Sequence, residues 1–266
     1  MGTDLNRDLA RLVEDAQTPL EDVVLLASHR SPDVDVAGFH ARLDGLSAGL
    51  TLDASPDLKS QRLAAHLHDG HGFDGEPEDY YHPRHSDLAW VAHHGRGLPL
   101  SLSLIYAAVG RRAGQSVEII GFPGHVLIRH GGPDGVLQDP FHGGRTLTDR
   151  DLANLAGRFL GHPSRLEAEH LLPLRRKALV VRVLANLRNA HARRNEHARC
   201  VMVCDSLFAI TGAPEALRDR GLHALAAGIP SAAAADLRAY LSQRPDARDR
   251  DSVAAALKRC RVSTPN

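Results

Sequence analysis

The residues best suited to chemistry lie in one stretch, GFPGHVLIRH followed by GVLQDPFHGG. His125 follows a Pro-Gly corner at the start of a β-rich run. Asp139 ends the next run, just before Pro140. GGPDG between the runs is a strong turn signal, so they pair as a hairpin and can set imidazole and carboxylate face to face. A carboxylate that accepts from Nδ1–H fixes the tautomer and leaves Nε2 as a base. The plainer alternative is a strand-end histidine in a turn and an aspartate capping a turn. Spacing alone leaves both open.

A second chemical position is the segment RGLPLSLS, read as a helix start. Free N–H groups and the positive dipole end there suit a thiolate or an oxyanion. Ser101 and Ser103 are its nucleophile candidates. The three cysteines, Cys200, Cys204 and Cys260, all lie beyond residue 199. They form no CxxC and read as buried thiols rather than a disulfide framework. A third cluster is HLHDGH, where His66, His68 and His71 stand with Asp69 and, further on, His82 and His85. Imidazoles and a carboxylate in one loop can bind Zn²⁺ or Ni²⁺. The spacing matches no established ligand motif, and a solvated loop is the alternative.

Three stretches must position these residues. Residues 1–58 read as helices packed on the core. Thr18-Pro19-Leu20-Glu21 is a capping box. Val36, Phe39, Leu43, Leu46 and Leu50 mark one amphipathic face, and Ser55-Pro56 opens a further helix. Residues 59–165 form the core. A Gly-, Pro-, Asp- and His-rich loop leads to a short helix DLAWVAHH capped by Ser86. A helix opened by Pro99 and stopped by Gly114 follows, then the runs SVEIIGF, HVLIRH and GVLQD. One helix followed by three strands predicts an α+β unit, a helix packed on a small antiparallel sheet. Residues 166–266 read as five helices in hairpin-like succession, from LVVRVLANLRNAHARR to DSVAAALKRC, somewhat like tetratricopeptide units.

Composition narrows the classes of function. The 266 residues are 43% hydrophobic and 24% charged, the profile of a globular protein. The 32 basic and 32 acidic residues cancel, which argues against a bulk nucleic-acid binder. Residues 1–100 carry 17 acids and 8 bases, and the remainder 15 acids and 24 bases. Either the two halves attract each other or the second half presents a basic binding face. No run is long enough to cross a membrane, and no secretory leader is visible, so a cytoplasmic location is expected.

The order of these motifs resembles the transglutaminase-like superfamily. A helix opens near Gly, runs to RRxG, and is followed by a strand, PGH and DPF. The words EDYYHPRHSDLAWV, GRGLPLSLSLIYAAVGRRAG, GFPGHVLIR and DPFHGG are most similar to its SirB-type branch. The resemblance covers most of the chain, including the flanking helices. It implies a papain-type core in which Cys opens the helix and His and Asp sit on adjacent strands. His125 and Asp139 then match the His and the Asp, while Pro99 stands where active members have Cys. Ser101 lies two positions further, about 200° around the helix, and does not point the same way. The resemblance implies a Cys-less scaffold that binds a protein or peptide, with Tyr80, Tyr81, Arg96, Pro99 and Ser103 as candidate binding residues and no cofactor. The competing expectation is a hydrolase or acyl-transfer enzyme. It would use the His125–Asp139 pair as general base, with water, a substrate group or Ser101 as nucleophile.

Overall fold

The computed structural model describes residues 2–29, 34–51, 53–160 and 166–262. The chain forms two compact units, one of Met1–Pro32 with Arg176–Asn266 and one of Asp33–Arg175. The boundaries expected at 58/59 and 165/166 therefore shift. Helices α1 (Gly2–Glu14) and α2 (Leu20–His29) fall in with the C-terminal helices, not with the core. The reason is their apolar face: Leu9, Val13, Val23, Val24 and Leu25 are buried, and the Arg176 guanidinium donates to the carbonyls of Leu12 and Val13.

The unit Asp33–Arg175 begins with α3 (Val36–Ser47) and α4 (Pro56–Ala64). The α4 helix runs on through one π-helical turn, Ala65–Asp69. The helix opened by Ser55-Pro56 carries the fully buried Leu67 as expected and runs on over His68 and Asp69, two residues into the stretch expected as loop. A two-residue strand β1 (Asp74–Gly75) follows, then α5 (Leu88–His94) and β2 (Arg96–Gly97), which pairs in parallel with β1. The cap of α5 is Asp87 rather than Ser86: its carboxylate accepts from the N–H groups of Ala89 and Trp90, while Ser86 is buried.

Helix α6 (Pro99–Arg112) opens on Pro99 as expected, and every residue from Pro99 to Gly110 is buried. A helix that is apolar all round belongs in the middle of a unit. It packs against β3 (Val117–Ile120) and β4 (Leu127–His130). With β5 (Val136–Asp139) and β6 (Arg145–Thr146) these make an antiparallel sheet in the order β3-β4-β5-β6. The expected β4–β5 hairpin is present, with Ile128 opposite Gln138 and Arg129 opposite Leu137. Strand β4 is buried on both faces because both are covered. Toward α6, Gly110 brings the helix against Val117. Toward α7 (Asp149–Leu160), Ile120, Leu127 and Leu137 meet Leu152, Leu155 and Ala156.

The remaining helices are α8 (Arg176–Arg193), α9 (His197–Thr211), α10 (Pro214–Ala226), α11 (Pro230–Gln243) and α12 (Arg250–Val262), close to the segments expected from sequence. Each packs on the next. Gly221 allows α10 and α11 to approach, since a methyl there would lie 2.8 Å from Leu237 Cδ2. Arg220 grips both carboxylate oxygens of Asp236 at 2.7 and 2.8 Å and also pairs with Asp205, tying α9, α10 and α11 together.

Candidate functional site

Two tight turns build the site. Phe122-Pro123-Gly124-His125 is a turn closed by the His125 N–H on the Phe122 carbonyl at 3.0 Å, with Gly124 at φ +69°. Pro at the second place and a left-handed Gly at the third are what a type II turn requires. The turn delivers His125 to the entry of β4. Across the hairpin, Asp139 ends β5 and caps the turn Pro140–His142, accepting from the Phe141 N–H at 3.1 Å. That turn carries His142 back, and its Nδ1 lies 2.7 Å from Asp139 Oδ2. His125 Nε2 lies 2.9 Å from Asp139 Oδ1.

The carboxylate is thus shared by two imidazoles. Asp139 is fully buried and His125 nearly so. Burial pushes the Asp139 pKa up, but the hydrogen bonds from His125 and His142 more than offset this and hold it well below the usual carboxylate range. The orientation corrects one expectation. It is Nε2, not Nδ1, that meets the carboxylate.

A cavity of about 480 Å³ opens beside His125. Tyr80, Tyr81, Pro99, Phe141 and Phe159 line it together with His125, His142, Leu155, Arg158, Gly124 and Pro77. Phe159 stacks on His125 at 6.2 Å between ring centres, and Phe141 meets the imidazole edge-on at 6.0 Å. Tyr80 packs edge-on against Phe141. The walls are aromatic and apolar, with His125, His142 and Arg158 as the polar and cationic groups.

Other residues singled out from sequence sit elsewhere. Ser101 Oγ donates to the His85 carbonyl at 2.5 Å and accepts from the Leu98 N–H at 3.0 Å, a buried clasp at the start of α6. It does not line the cavity. Ser103 is buried, and its hydroxyl has no hydrogen-bond partner among the described residues. Arg96 donates to the Gly75 carbonyl at 3.2 Å beside Asp74. His66 Nε2 is bonded to the Leu46 carbonyl at 2.7 Å and His68 Nδ1 to the Phe73 carbonyl at 2.9 Å. Among the described residues, the group of His, Cys, Asp and Glu that does converge is His125, Asp139 and His142. His142, Phe141, Phe159 and Arg158 were not singled out from sequence. The first two are legible in DPFHGG, three and two positions from the aspartate. The last two come from α7 and carry no local signal.

Helix α6 packed on the sheet, with the His at the entry of β4 and the Asp at the end of β5, defines a transglutaminase-like α+β core joined to a tetratricopeptide-like helical unit. Residues 8–185 match the transglutaminase-like superfamily, and the chain belongs to it. Residues 187–258 match the tetratricopeptide repeat. The chain is 34% identical over 251 residues to a UPF0162 protein of Xylella fastidiosa (strain Temecula1), covering 91% of this chain and 89% of that one. It is 29% identical over 189 residues to a UPF0162 protein of Pseudomonas aeruginosa, covering 70% and 69%. It is also 32% identical over 113 residues to the human F-box only protein 21, covering 38% of this chain and 18% of that protein.

Proposed function

We propose that this protein is a member of the superfamily, of the SirB type, whose site lacks the family's cysteine, and that it holds a peptide segment in the aromatic groove at His125 rather than performing thiol acyl transfer. The observation that carries this reading is that Pro99 lines the same cavity as His125. That placement, with Pro99 opening α6, supports the reading that a proline stands where active members have Cys, and its ring offers no nucleophile. The cysteines do not substitute. Cys200, Cys204 and Cys260 are buried in the helical unit, and burial pushes the Cys204 thiol up to about 12. Aromatic walls suit apolar or aromatic side chains of an extended peptide. The match of residues 187–258 to tetratricopeptide repeats supports a second protein-binding surface.

Selection of peptides from a random displayed library, followed by calorimetry, tests the reading. Selected peptides should bind the wild type and lose at least tenfold with Tyr80→Ala or Phe159→Ala. Peptides that bind the variants equally well would overturn it.

The 2.9 Å His125–Asp139 contact favours one second reading, a hydrolase that uses this pair as general base toward water. A panel of amide and ester substrates decides it. Turnover above the buffer rate that His125→Ala abolishes establishes the enzyme, and equal rates dismiss it.

A further inference from the structure

We propose that His125, Asp139 and His142 form a binding site for one divalent transition-metal ion of the zinc class. One ligand atom from each of the three lies within 4.8 Å of the other two. Zinc bound by nitrogen and oxygen takes ligands at about 2.0–2.2 Å in a tetrahedron, which spaces them roughly 3.3 Å apart. His125 Nε2 and His142 Nδ1 already lie 2.9 and 2.7 Å from the two carboxylate oxygens. Small rotations of the imidazoles therefore seat an ion where the two hydrogen bonds now run. Two imidazoles and one carboxylate suit zinc, cobalt or ferrous iron, whereas magnesium and calcium prefer all-oxygen sets.

The surroundings are those of a site with an open position. Asp139 is oriented by the Phe141 N–H, a supporting bond that fixes the carboxylate whether or not an ion is present. His125 is held by the stacked Phe159 ring. His142, with 44% of its side chain exposed, faces the cavity that His125 also lines, so the fourth position opens into that cavity. The other histidine cluster differs: among the described residues, the His, Cys, Asp and Glu ligand atoms that gather within 4.8 Å of one another are those of His125, Asp139 and His142, not those of His66, His68 and His71. The inference stands apart from the peptide-binding reading and needs no turnover to be tested.

Full-length, tag-free protein is stripped with chelator and titrated with zinc chloride by calorimetry, and with cobalt(II) by visible absorption. About one equivalent should bind, with a cobalt spectrum of a four- or five-coordinate site. His142→Ala is the informative variant, because an exposed side chain is replaced and the fold is kept. It should weaken binding by more than the roughly 10–100-fold that loss of a supporting partner costs. His68→Ala should bind as the wild type does. Binding below about 0.1 equivalent, weakening of no more than about 100-fold in His142→Ala, or loss in His68→Ala instead would each overturn the proposal.

Discussion

His125 Nε2 lies 2.9 Å from Asp139 Oδ1, and the same carboxylate holds His142 through its other oxygen at 2.7 Å. Asp139 is also the cap of the turn that carries His142, so one side chain organises both the site and the local backbone. Asp139→Ala removes all three bonds at a fully buried position. It should cost about 1–3 kcal/mol, the range for leaving a buried polar group such as the His125 imidazole without its partner. Urea unfolding measures it, and a loss under 1 kcal/mol would show that the triad is not structural.

Gly124 and Phe159 are the second testable pair. A methyl on Gly124 would collide with the Phe159 ring, and φ of +69° disfavours any side chain there. Gly124→Ala should lose about 1–2 kcal/mol from the backbone alone, with a further loss from the displaced ring. In a Phe159→Ala background only the backbone part should remain. A double-mutant cycle reads the difference, and strict additivity would contradict the packing described.

His130 gives the fold a pH dependence. It is buried, and its Nε2–H donates to Gln138 Oε1 at 2.8 Å, because the Gln138 amide is spent on the carbonyls of Ser60 and Gly144. Nδ1 is buried with no partner among the described residues. Burial lowers the His130 pKa below its usual 6.5, outweighing the Gln138 bond that raises it. The unfolded chain therefore takes up a proton near pH 6.5 that the folded chain refuses. Stability is full above that pH and falls as pH drops toward the folded value. Urea midpoints at about pH 7.5 and pH 5.5 should differ more for wild type than for His130→Gln, and an unchanged difference would sink the assignment.

The thiols should be silent until the helices open. Burial raises the pKa of Cys200 and takes that of Cys204 to about 12, so at pH 8 almost no Cys204 thiolate exists. Iodoacetamide should modify native protein slowly and all three cysteines promptly in denaturant. Fast labelling of Cys204 in the native state would contradict its burial.

Much of the site is local, and local signals are legible. FPGH reads as a Pro-Gly corner and GGPDG as a hairpin turn, so spacing allowed His125 and Asp139 to meet but left a turn-capping aspartate equally open; the 2.9 Å contact came from the tertiary structure. Local pattern misled where burial decided. HLHDGH looks like a hydrated loop, yet its first four residues lie in a helical turn around the buried Leu67, and His66 and His68 each bond a backbone carbonyl. Ser86 looks like a cap, yet Asp87 has the reach. Ser101 looks like a nucleophile, yet it clasps His85.

By itself, the sequence determined the helix and strand periods, the turn chemistry and the absence of any cysteine before residue 200, and with them the α+β core and its lack of a local thiol. Tertiary structure alone decided which imidazole nitrogen meets Asp139. It alone set Phe159 and Arg158 of α7 against a histidine more than 30 positions earlier. It also assigned α1 and α2 to the C-terminal helices rather than to the core. Each of these outcomes depends on how apolar faces far apart in sequence find area to bury, and an amphipathic face says only that it must be covered, never by what.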